Sequence, residues 1–98
     1  MAFADSYDFV LLKNEAEELV LRELEHQLNA YPAEICRCND CVVDIAAIAL
    51  NSVKPLYRFS LLGTLYAAHA MNEKDYADSV QQAVASAIEK VRDNPSHD

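Results

Sequence analysis

Cys36-Arg-Cys38-Asn-Asp-Cys41-Val-Val-Asp44-Ile-Ala-Ala-Ile-Ala-Leu50-Asn51 is the stretch that decides the fold. From Val42 to Leu50 it is the most apolar part of the chain, and Asp44 is its only charge. Apolar residues fall on nearly every side of a helix drawn through it, which predicts a central, buried helix. Asn39 or Asp40 is expected to cap that helix by accepting a backbone hydrogen bond, and Pro55 bounds it at the far end. The three cysteines just ahead are the only ones in the chain.

Two further helices flank this one in sequence. Leu12, Ala16, Leu19, Val20, Leu24 and Leu28 recur at steps of three and four, which predicts a helix from about Phe9 to about Asn29, ended by Pro32. Leu11 and Leu21 fall off that stripe and widen the apolar face beyond what a small monomer's core requires. Near the C-terminus, Tyr76, Val80, Ala83, Val84, Ala87, Ile88 and Val91 share one face of a helix capped by Asn72 and closed by Pro95. Between them, Arg58 to Met71 lacks a clean period. It is expected to run as an extended connector to Gly63 and then a short helix to about Ala70. With one glycine and three prolines in 98 residues, few turns of positive φ are available. The expectation is a single domain over residues 1–98. It is all-α, a compact bundle of three to four helices with a Cys-rich loop-to-helix knuckle.

Charge and composition narrow the function. A net charge of −8 from sixteen acids and eight bases gives no field for a nucleic-acid polymer. A small anion is compatible with it, because two well-placed bases can hold a phosphate. No apolar run reaches the roughly 20 residues that span a bilayer, and the acidic N-terminus does not read as an export signal. The expected compartment is therefore the reducing cytoplasm, where clustered cysteines bind metal or do redox work more often than they form disulfides. A core this small would gain from a metal or a second subunit. No catalytic constellation or phosphate-binding glycine loop is visible, so no enzymatic activity is expected.

Cys38 and Cys41 have zinc-knuckle spacing, and Cys36 reaches the same point if the chain there is extended. Zinc takes four ligands in a structural site. Asp44, one helical turn beyond Cys41, is the candidate fourth, with His26, His69, a partner chain's residue or water as alternatives. The helix dipole at Cys41 favours thiolate. Two other readings stay open: reduced, metal-free cysteines at a loop-to-helix junction, and a redox pair of Cys38 and Cys41. A second cluster follows the central helix. Asn51, Lys54, Pro55, Tyr57 and Arg58 gather an amide, two bases and an aromatic ring around a rigid proline, a set that can hold a phosphate and stack on a base. Arg37 is an alternative base. The bland reading of that cluster is a helix stop with surface bases.

The pattern from Cys36 to Tyr57, Cys-x-Cys-x-x-Cys-x-x-Asp-Ile-x-Ala-x-Ala-Leu-Asn-x-x-x-Pro-x-Tyr, resembles the late competence protein family ComFB. The flanks Asn14-Glu-Ala-Glu17-Glu-Leu-Val20 and Val91-Arg-Asp-Asn94-Pro95-Ser-His97 are similar to that family's opening and close. The resemblance implies an all-helical homodimer without enzymatic activity, zinc in cysteine-bearing members and a link to competence. Members from cyanobacteria act as cyclic di-GMP receptors, which implies that ligand at the block containing Asn51, Pro55 and Tyr57. The competing class is an adaptor that docks an unidentified protein partner on its spare apolar face.

Overall fold

The computed structural model describes residues 2–58 and 73–95. In chain order these form α1 (Ala2–Asp5), a 3-10 turn (Phe9–Leu11), β1 (Lys13–Asn14), α2 (Ala16–Asn29), α3 (Asn39–Ser52), β2 (Tyr57–Arg58) and α4 (Glu73–Asp93). The architecture is the expected all-α one: α2, α3 and α4 pack on one another around a single core. The two strands add only a two-residue antiparallel ladder, with Lys13 opposite Arg58 and Asn14 opposite Tyr57. The connector and short helix expected up to Ala70, and the Asn72 cap, lie outside the described residues.

Each long helix buries one stripe. On α2 it is Ala16, Val20, Leu24 and Leu28, at steps of four. On α4 all seven residues of the expected face are buried, from Tyr76 to Val91. On α3 the buried residues are Cys41, Ile45, Ala46 and Ala49. Among the described residues, Ile45, Ile88, Val20, Val84 and Cys41 are the largest fully buried side chains, so one of the cysteines is itself a core residue. The middle helix is less enclosed than its composition suggests. Val43 is 57% exposed, because the core occupies one side of α3 and leaves the other to solvent.

The first long helix starts later than its periodicity predicts, at Ala16 rather than near Phe9. Two local hydrogen-bonding devices prevent the earlier start. Asp8 accepts a hydrogen bond from Val10 N–H at 3.1 Å and shapes the 3-10 turn. Asn14 Oδ1 then accepts from Ala16 N–H at 3.1 Å and from Leu56 N–H at 2.8 Å, holding β1 extended against β2. Leu12, expected in the buried stripe, is consequently 47% exposed.

Tyr76 joins α4 to the segment after α3. Its hydroxyl donates to the Lys54 carbonyl at 2.7 Å, and burial of the ring raises its pKa above the ordinary tyrosine value of 10.0. The folded chain therefore holds this proton more tightly than the unfolded chain does. Its contribution is complete below about pH 10 and declines as pH rises from there through the higher folded value. Tyr76→Phe should cost about 1 kcal/mol at pH 8, the worth of one hydrogen bond. In paired urea melts at pH 8 and pH 11 the gap between the two proteins should narrow. A gap that widens with pH would contradict the assignment.

Candidate functional site

The head of α3 carries the metal-ligating residue types. Cys38, not Asn39 or Asp40, is the N-cap: its backbone is extended (φ −68°, ψ 162°) and its Sγ accepts from Cys41 N–H at 3.4 Å. Asn39 and Asp40 stand in the first turn and are exposed, and Asp40 complements the helix dipole there. The expected caps are displaced because the extended geometry falls one residue earlier and the sulfur is already turned inward. That turn is what brings the thiols together. The Sγ atoms of Cys36, Cys38 and Cys41 all lie within 4.8 Å of one another, grading from exposed through half-buried to buried. None is in a disulfide.

A tetrahedral zinc with bonds of ~2.3 Å spaces its sulfurs about 3.8 Å apart, so the triad closes onto an ion with a contraction of about 1 Å. Three soft donors converging at a helix N-terminus fit that metal in type and number, with one position left to fill. Asp44 lies half-buried one turn further along α3. His26 is exposed near the end of α2. His69 and His97 lie outside the described residues. Arg37 is engaged elsewhere: its guanidinium donates to the Leu28 carbonyl, satisfying the last turn of α2 and tying the cysteine loop to it.

The second cluster follows α3 along the surface. Asn51, Lys54, Pro55 and Tyr57 are all exposed, Tyr57 at 56%. Arg58 is placed by the ladder opposite Lys13. The backbone carrying them is fixed from two sides. Tyr76 holds Lys54, while Asn14 Oδ1 and Glu15 N–H hold the N–H and carbonyl of Leu56, each at 2.8 Å. The run therefore presents amide, base and ring to solvent from a constrained loop. The positioning role of Asn14 is not read from the sequence, although an Asn just before a helix is a capping signal. The apolar run Phe9 to Leu12 masks it by extending the helical period across it.

These features describe a small all-α domain with a cysteine knuckle at the head of its middle helix. The chain belongs to the family described as late competence development protein ComFB, whose model matches residues 13–95. Its fold is similar to that of the late competence protein ComFB from Bacillus subtilis, with a TM-score of 0.66 at 24% identity over 87% of this chain and 92% of that one. No curated protein sequence matches it. The family is one of competence proteins and is not a known enzyme family. Among the described residues no helix is long and apolar enough to cross a membrane.

Proposed function

We propose that this chain is a non-catalytic regulatory protein: a zinc-stapled homodimer in the cytoplasm that reads cyclic di-GMP on behalf of competence, motility or a related pathway. The observation that carries the reading is the convergence of three sulfurs at the head of α3, within 4.8 Å of one another. Cys36, Cys38 and Cys41 would hold the ion, with Asp44 the candidate for the remaining position. Bound there, zinc supplies a cross-link between the loop and the helix rather than a reaction. The loop itself is already tied to α2 through Arg37.

Asn51, Lys54, Pro55, Tyr57 and Arg58 are the candidate ligand face. Lys54 and Arg58 supply charge for phosphates, Tyr57 supplies a ring on which a guanine can stack, and a twofold pair would present each base twice. Intact-mass measurement under native conditions is expected to give a dimer with one zinc per chain. Calorimetric titration with cyclic di-GMP is expected to show saturable binding that falls at least tenfold in Tyr57→Ala. No heat and no thermal shift at high micromolar ligand would remove the nucleotide from the reading. A metal-free native mass would remove the staple.

A further inference from the structure

Within the triad, Cys38 and Cys41 are also held as a pair. Cys38 is the N-cap of α3 and Cys41 stands in its first turn. Cys38 Sγ accepts from Cys41 N–H at 3.4 Å, so the first sulfur is already turned over the residue that bears the second. The two Sγ atoms lie within 4.8 Å of each other. Residues three apart at a helix start have Cα atoms about 5 to 6 Å apart, a separation that disulfides favour. An S–S bond of ~2.05 Å then needs a closure of under about 3 Å, which rotation about one Cα–Cβ bond supplies without moving the backbone. Burial also differs across the pair. Cys38 is half-buried and open to a small oxidant, whereas Cys41 is buried in the core and closed to it. An accessible sulfur beside a resolving one is the arrangement that reversible oxidation uses.

We infer that Cys38 and Cys41 form a reversible disulfide under a hydroperoxide, and that closing it releases the metal staple. The Cys38 sulfur, as thiolate, attacks the nearer peroxide oxygen. An S–O bond forms, the O–O bond breaks, and the second oxygen takes a proton from solvent and leaves as water or an alcohol. The Cys41 thiolate then attacks the Cys38 sulfur. The S–S bond forms, the S–O bond breaks, and hydroxide leaves to be protonated as water. Two electrons pass from the sulfur pair to the peroxide. Bond formation needs only these two sulfurs, while the loss of metal rests on the staple proposed above. A bridged chain offers one thiolate, Cys36, where three stood, too few donors to hold zinc. The loop keeps its other tie, from Arg37 to the Leu28 carbonyl, so the fold survives the change. A dithiol reductant reopens the bridge by exchange and is itself oxidised. Metal occupancy at the head of α3 thereby follows peroxide.

Trypsin separates the outcomes. Cleavage after Arg22, Arg37 and Arg58 leaves Cys36 on residues 23–37 and the other two cysteines together on residues 38–58. The reduced, zinc-loaded full chain, treated with a small excess of hydrogen peroxide and alkylated with iodoacetamide under denaturing conditions, should take one label in place of three. The label should fall on Cys36, which is exposed beside an open cavity of about 530 Å³. The 38–58 peptide should be lighter by two hydrogens, with one zinc released per bridge, and dithiothreitol followed by zinc should restore both. Cys36→Ser should form the same bridge, whereas Cys38→Ser should keep both of its labels. Three labels after treatment, a sulfinic acid on Cys38, or a bridge joining the two peptides overturns the pair. A bridge that forms with zinc retained overturns the release. An untreated chain that is metal-free but still bridges overturns the staple and the release, and supports the pair.

Discussion

Replacing Cys38 with serine should lower the stability of the metal-loaded protein by about 3 kcal/mol or more, because binding of a structural metal and folding draw on the same free energy. For a domain of this size that is a fall in melting temperature of at least ~12 °C. The choice of serine separates two jobs of the same atom. Cys38 Sγ accepts from Cys41 N–H at the start of α3. A serine hydroxyl is a good N-cap and keeps that hydrogen bond. What the variant loses is the ligand, so the change reports the ion and not the cap. A strong chelator should bring the wild-type melt down to that of the variant and should move the variant little. Identical melting curves for the two proteins, with and without chelator, would show that no metal staples this loop.

Ile45→Ala is the second large expected effect. Ile45 is fully buried one helical turn beyond Cys41, and it is the largest side chain that α3 places in the core. Shortening it removes apolar contact and leaves a void that rigid neighbours only partly fill. The expected cost is about 3 kcal/mol, within the usual span for such truncations. Val43→Ala, on the open side of the same helix, should change stability by no more than about 0.5 kcal/mol. Urea denaturation of both variants decides the matter. Equal effects at the two positions would mean that the core does not sit on the Ile45 side. Because Ile45 supports the turn that carries Cys41, the same variant should also bind zinc more weakly.

The helical stripes were legible because their signal is periodic and the core rewards it. Every residue of the α4 face is buried as spaced, and α2 buries Ala16, Val20, Leu24 and Leu28 as expected. The cysteine cluster was legible for a different reason: a short spacing leaves the chain little freedom to place its sulfurs apart. What the sequence hid was local and polar. The period through Leu12 continues smoothly, yet Asp8 and Asn14 offer the backbone better partners than a helix would, and the helix waits for Ala16. At α3, both Asn39 and Asp40 are good caps by type, but the cap that forms is a sulfur, which propensity ranks low. Long-range partners are the least visible of all. Nothing near Asn14 in sequence points to Leu56, and nothing near Tyr76 points to Lys54.

The Asn14 carboxamide bears on how the chain is made. It joins two backbone N–H groups, one two residues away and one 42 residues away. A ribosome delivers the N-terminal end first, so α2 can coil early while its starting turn still lacks the second anchor. Only when synthesis has carried Leu56 clear of the exit tunnel can that anchor close. The nascent chain thus keeps the segment ahead of α2 without its second tether until Leu56 has emerged.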